Sequence, residues 1–233
     1  MKDNEMYVWN IDWRNYIEKK PIFYSLLTLE EKSRAEHYKL DITQNQFIMT
    51  RAILRLLISD LINQNPEIIQ FEYTDLGKPK LIGTSSLYFN VSHSQYRSLY
   101  AFCKYPDIGV DIEYQKDLDF KSIAKRYFSL QENQILNTLM TEEEKKQAFF
   151  KGWVQKESIV KAQGLGLTLP LNQIEVELGT NFPGIVKLPS ILHNMLKWHL
   201  HEIKINKNFK AVVVVRAPCA SMHLNIFHKL YGL

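Results

Sequence analysis

The same order of predicted elements occurs twice along this chain: a long helix, then a run of strands. In the first half, Phe47, Ile48, Ile53, Leu54, Leu57, Ile58 and Leu61 recur at helical spacing and predict a helix over about Gln44–Ile62. A short strand near Tyr7–Ile11 and a helix over Leu29–Tyr38 precede it. Strands follow at Ile68–Tyr73, Leu87–Val91 and Leu99–Lys104, the first two separated by the turn LGKPKLIG. The second half opens with a strand at Ile108–Tyr114 and short helices near Phe120–Tyr127 and Leu130–Leu139. Its long helix is Thr141–Gln163: Thr141 and Glu144 fit a capping box, Glu142 and Glu143 suit the positive end of the dipole, and Gly164 is a left-handed stop. Strands near Ile174–Glu177, Trp198–Ile205, Lys210–Arg216 and His223–His228 complete it. No sequence repeat is visible, yet the order recurs. The expectation is an α/β (α+β) chain of two similar halves, residues 1–105 and 106–233.

At 233 residues, 45% hydrophobic and 23% charged, the chain has the length and composition for a sizeable core. No apolar run approaches a membrane span, and the N-terminal MKDNEMYVWNID is acidic where a signal peptide is basic. Cys103 and Cys219 have no metal-ligand spacing. Two reduced thiols in a cytoplasmic protein are expected. The balance of 29 Lys+Arg against 25 Asp+Glu leaves a net charge of +4. That is too mild to indicate nucleic acid, but it suits phosphorylated ligands or an acidic protein partner.

The stretch GVDIE, Gly109–Glu113, places two carboxylates in a strand that otherwise reads as buried. Side chains at i and i+2 share a face, so Asp111 and Glu113 point one way while Val110, Ile112 and Tyr114 point into a core. Two like charges so close need a cation, either Lys/Arg or a metal. On the long helix, Trp153, Glu157 and Lys161 share a face at i, i+4, i+8. Alone, Glu157 and Lys161 would be a solvated pair. Around them, however, Phe149, Phe150 and Val154 make the helix core-facing, and Gly164–Leu165–Gly166–Leu167 offers a compact exit. Asp111, Glu113 and Glu157 form a set of hard oxygen ligands with no His or Cys spacing beside it, which is the chemistry of Mg²⁺ with a substrate phosphate. Anion-binding residues stand in three nearby stretches: Lys78 in GKPKL, Ser92 and His93 in FNVSHS, and Arg51 with Arg55 on the first long helix. Each has an ordinary structural alternative; their joint occurrence with the carboxylates favours a site.

The ordered series GKP (77–79), FNVSHS (89–94), GVDIE (109–113), KRYFS (125–129) and WVQKESIVKAQGLGL (153–167) resembles the 4′-phosphopantetheinyl transferases, and within them the long, single-chain Sfp type. The resemblance implies a pseudo-dimer of two α/β halves with coenzyme A in the cleft between them. It implies that Asp111, Glu113 and Glu157 bind Mg²⁺, and that Lys161, with Lys156 of the same KExxxK pattern, contacts the coenzyme A phosphates. It further implies that Lys78, Ser92 and His93 bind the nucleotide and its phosphates, with Arg51 and Arg34 supplying further positive charge. Ile112, between the two carboxylates, offers no ligand.

The chemistry so implied is attack by a serine hydroxyl of an acyl or peptidyl carrier protein on the β-phosphate of coenzyme A, releasing adenosine 3′,5′-bisphosphate. Glu157 is the candidate base and Lys161 the candidate transition-state contact, with His93 as the third candidate catalytic residue. Lys116, Lys121, Lys125 and Arg126, which follow the metal strand, are expected to meet an acidic carrier. A monomer without membrane or nucleic-acid partners is expected. Two other readings use parts of the same set. A metal-dependent nuclease would want Glu-x-Lys where Glu113 is followed by Tyr114–Gln115. A non-catalytic carrier-protein or nucleotide-binding module has no need of three intact carboxylates.

Overall fold

The computed structural model describes residues 1–83, 86–179, 183–192 and 195–230. The first half comprises β1 (Glu5–Asp12), α1 (Lys20–Ser25), α2 (Leu29–Glu36), α3 (Asp41–Ile62), β2 (Phe71–Tyr73), β3 (Pro79–Leu81), β4 (Tyr88–Ser94) and β5 (Arg97–Cys103). The second comprises β6 (Ile108–Tyr114), α4 (Phe120–Tyr127), α5 (Leu130–Thr138), α6 (Glu142–Gln163), β7 (Glu175–Val176), β8 (Ile185–Lys187), β9 (Lys197–Glu202), β10 (Phe209–Ala217) and β11 (His223–Phe227).

Two sheets face each other. One has the order β11-β1-β5-β4 and the other β6-β10-β9. Strand alternation assigns each side chain to a core. Leu99, Ala101 and Cys103 of β5 meet Val110 and Ile112 of β6 and Val213 and Val215 of β10 between the sheets. Tyr100 and Phe102 of β5 point outward onto α3, joining Ile48, Ile53 and Leu57. Val212 and Val214 of β10 point outward toward Phe150, Val154 and other residues of α6. Each sheet is thus backed by one helix, and α3 and α6 are both 22 residues long. The layers run helix, sheet, sheet, helix, as two similar halves require.

Two expectations change. The split at 105/106 does not describe the sheets, because β11 returns to the first sheet and pairs in parallel with β1, Glu5 opposite His223 through Trp9 opposite Phe227. The final strand closes the edge that β1 would otherwise expose. Furthermore, the GKPKL segment does not simply separate two strands. It folds back as β3 on β2, with Phe71 opposite Leu81, and Gly77 supplies the left-handed φ of +85° that the turn needs.

Candidate active site

Strand β6 and helix α6 meet at Gly109. A Cβ there would lie 2.0 Å from the Ser158 carbonyl oxygen and 2.5 Å from the Ala162 nitrogen, so only glycine lets the helix backbone settle on the strand. That approach sets Glu157 and Lys161 over the odd-numbered face of β6, where Asp111 and Glu113 lie. The Lys161 ammonium donates to Asp111 Oδ1 at 2.6 Å and to Ser92 Oγ at 2.9 Å. Asp111 is buried, with 3% of its surface exposed.

Ser92 belongs to β4 in the other half, and its neighbours show how the halves join. The strands β4 and β6 lie side by side without a backbone ladder, and alternate side chains of β4 take the place of one. Asn90 Oδ1 accepts from Val110 N–H at 2.9 Å, Ser92 Oγ from Ile112 N–H at 3.3 Å, and Ser94 Oγ from Tyr114 N–H at 3.0 Å. The two serines also donate to the carboxylates, Ser92 to Asp111 Oδ1 at 2.9 Å and Ser94 to Glu113 Oε2 at 3.3 Å. Each serine therefore fixes one strand N–H and orients one carboxylate. Ser94 and Asn90 are functional neighbours that motif reading passed over. Their signal was in the alternation of short polar residues along FNVSHS, since only short side chains can span this seam.

The electrostatics are those of an under-compensated acidic site. Burial, then the neighbouring Asp111 charge, push Glu113 up to about 7. The same two causes, in the same order, raise Glu157, and Lys161 offsets part of that. Among the described residues no three carboxylate, His or Cys groups close into a coordination cluster. Lys161 lies against Asp111 instead. Yet Asp111 Oδ2 is buried with no hydrogen-bond partner, and a desolvated carboxylate oxygen without a donor is suited to a cation. The donor set, oxygen only, fits Mg²⁺.

Glu157 and Lys161 line a cavity of about 320 Å³ together with Gly77 and Lys78 from the first half and Gly164 beyond α6. Pro79 and Val91 are shared with a second cavity of about 260 Å³ lined by Arg34, Arg51 and His93. Lys78, Lys161, Arg34, Arg51 and His93 thus line two adjoining cavities, whereas Ser92 is buried behind them. Arg51 donates to the Tyr73 hydroxyl at 2.9 Å, and its Nη1 is buried without a partner. Arg55, in contrast, is a structural residue. It is 1% exposed and holds Glu31 and the carbonyls of Pro66 and Ile69.

Two lysines differ from the expectation. Lys156 is not in the cleft. It is fully buried, donating to Glu132 at 2.8 Å and to the carbonyls of Leu171 and Ile174. One residue before Glu157 is a rotation of about 100° around the helix, and that turns Lys156 into the core of its own half. Lys78 lines the cleft, but its ammonium is engaged by the carbonyls of Pro106, Ile108 and Ala162, and its stem lies against Gly164. It fastens the GKP turn to the opposite half, and burial lowers its pKa to about 8.

Sequence comparison covers nearly the whole chain. The model of the 4′-phosphopantetheinyl transferase superfamily matches residues 107–214, and that of the 4′-phosphopantetheinyl transferase N-terminal region matches residues 11–102. The 4′-phosphopantetheinyl transferase HetI of Nostoc sp. is 31% identical over 216 residues, 91% of this chain and 88% of that protein. The 4′-phosphopantetheinyl transferase Sfp of Bacillus subtilis is 30% identical over 201 residues, 86% of this chain and 87% of that protein. A mouse L-aminoadipate-semialdehyde dehydrogenase-phosphopantetheinyl transferase is 26% identical over 220 residues, covering 86% and 70% respectively.

Proposed function

We infer the division of labour in this site from one premise: the chain belongs to the 4′-phosphopantetheinyl transferase superfamily, in its Sfp type. It transfers the 4′-phosphopantetheine group from coenzyme A to carrier proteins. The observation that carries the residue assignments is the seam itself. There Asp111 of one half, Ser92 of the other and Lys161 of α6 converge within hydrogen-bond distance.

Asp111, Glu113 and Glu157 are the residues that would hold Mg²⁺, which when bound supplies charge neutralisation at the pyrophosphate. Arg34, Arg51 and His93 line the arm of the cleft suited to the nucleotide phosphates, and Lys78 and Ser92 fix its walls. The buried, unpartnered Arg51 Nη1 is a donor waiting for an oxygen. The carrier serine hydroxyl attacks the β-phosphorus, the bond to the bridging oxygen breaks, and adenosine 3′,5′-bisphosphate leaves. Glu157 accepts the serine proton. Lys161 donates to the leaving bisphosphate as negative charge grows there. Positioning the reactants in line contributes the remainder.

The carrier approaches from α4, where Lys125 and Arg126 occupy the last turn and the exposed Lys121 pairs with the exposed Glu142. One chain supplies both halves of the cleft, which supports a monomer. No helix among the described residues is long and apolar enough to cross a membrane. That, with two free thiols, supports a cytoplasmic location. The test is mass spectrometry of an apo carrier protein incubated with enzyme, coenzyme A and Mg²⁺. A gain of one phosphopantetheine on the serine is expected, and its absence with fatty-acid, polyketide and peptide-synthesis carriers alike would overturn the assignment. The same incubation with the serine replaced by alanine should give no gain.

A further inference from the structure

His93 reaches the cleft from the end of β4, and its ring is held by a residue to which no role has yet been given. Gln46, in the second turn of α3, places its side-chain Nε2 2.9 Å from the backbone carbonyl of Gln95 and 3.2 Å from His93 Nδ1. A carbonyl only accepts hydrogen bonds, so the nitrogen end of the Gln46 amide is the end that faces both groups. One amide hydrogen goes to Gln95, and the other points at His93 Nδ1. That ring nitrogen must then be the unprotonated one, and the single ring proton of a neutral His93 sits on Nε2. The turn that presents the Gln95 carbonyl is itself unusual. Gln95 holds a left-handed φ of +55°, which costs a residue with a Cβ on the order of 1 kcal/mol.

We propose that Gln46 is a positioning residue that fixes His93 as its Nε2–H tautomer, so that His93 serves the coenzyme A phosphate subsite as a neutral hydrogen-bond donor. This rests on the reading of the Arg34–Arg51–His93 cavity as the phosphate arm of the cleft. The charged and titratable groups around the ring agree with a neutral imidazole. Lys161 on α6 opposes its protonation, and Arg34 on α2 and Arg51 on α3 line the same cavity. Asp111 on β6 is the counterweight, and Lys161 already engages it. Desolvation by the cleft walls, then the Lys161 charge, hold the partly open ring of His93 below its ordinary value. A protonated ring would also turn an N–H at Nδ1 against the amide hydrogens of Gln46.

The experiment is ¹⁵N NMR of the histidine side chains at pH 8 in the wild type and in Gln46→Met and Gln46→Glu, paired with steady-state kinetics in coenzyme A. In the wild type, His93 Nδ1 should show the shift of a nitrogen without a proton. Gln46→Glu offers an acceptor in place of a donor and should move the proton to Nδ1. Gln46→Met keeps the length without either and should give a mixture of tautomers. The KM for coenzyme A should rise about tenfold in Gln46→Glu, the size of one lost hydrogen bond to a charged group, and only about twofold in Gln46→Met, where about half of the rings keep the donor. By contrast, kcat should move less than about twofold. A proton on Nδ1 in the wild type would overturn the proposal, whatever the variants do. So would a tautomer switch that leaves KM unchanged. Loss of all transfer by the wild type would instead count against the phosphopantetheinyl transfer itself.

Discussion

Helix α6 carries two lysines that each grip a carboxylate from another element, and the two pairs are built differently. Lys156 and Glu132 are 0% and 2% exposed. Glu132 Oε2 also accepts from Ser129 N–H, its Oε1 accepts from Val176 N–H, and Lys156 donates further to two carbonyls. Both groups are saturated, and the pair ties α5 and the chain around Ile174 to the helix. Lys161 and Asp111 are 30% and 4% exposed, and Asp111 Oδ2 has no partner. One pair is closed on every side; the other faces a cavity and leaves an oxygen unsatisfied. A lysine–carboxylate pair is thus recognised as part of a site by what it leaves unmade rather than by its own length.

The sharpest way to break this comparison is to remove the closed pair. Lys156→Met should destabilise the protein by roughly 3–5 kcal/mol, because it strands a buried carboxylate. Urea unfolding would measure the loss. Saturating Mg²⁺ should not restore it, whereas adding Glu132→Leu should recover much of it. A stable Lys156→Met protein with weakened coenzyme A binding would return Lys156 to the active site.

The open pair should fail differently. Lys161→Ala should lower kcat by ~10²–10³, the range for deleting one preorganised donor in a transition state. The coenzyme A dissociation constant should change far less, because the Arg34–Arg51–His93 arm is intact. Without Mg²⁺ the variant should lose about 1 kcal/mol of stability through the unpaired Asp111 charge, and Mg²⁺ should restore it by occupying the same carboxylates. Rescue by the ion separates this pair from the closed one. Unchanged kcat would reduce Lys161 to a surface charge.

Much of this was legible in the chain. Helix α3 follows from periodicity, α6 from its capping box and glycine stop, and the carboxylate face of GVDIE in β6 from strand alternation alone. The expected helix start at Gln44 fell three residues after the observed Asp41, in a region where the cap has no side-chain hydrogen bond to signal it. Lys156 and Lys161 looked alike because one motif contains both, although helical spacing already turns Lys156 about 100° away from the face of Glu157 and Lys161. The return of β11 to β1 was not readable, since a parallel pairing across the whole chain has no local signature. Residues 13–25 fold as a 3₁₀ turn and the short α1, too brief for a period to emerge. The need for glycine at 109 comes from the helix backbone packed on it, which no local pattern encodes.

The smallest effect tests the unmet charge most directly. Glu113 has an ordinary value of 4.5 and stands at about 7 in the fold, through burial first and the Asp111 charge second. A carboxyl raised in this way adds stability that is fully present below 4.5 and is lost as pH rises through 7, because the fold disfavours the ionised form. Without Mg²⁺, stability should therefore fall between about pH 5 and 8. Glu113→Gln should flatten the fall and exceed the wild type at pH 8 by about 1–2 kcal/mol. That is less than the full 1.36 kcal/mol per unit, since water enters the cleft. With Mg²⁺ the sign reverses, because the ion displaces the proton: wild-type affinity for the ion should climb through pH 7, and the glutamine variant should lack that climb. Thermal unfolding across this range, with and without the ion, reads both arms. A pH-independent difference between wild type and variant would mean that Glu113 is ionised throughout, already compensated as Glu132 is, and the contrast between open and closed carboxylates would not extend to it.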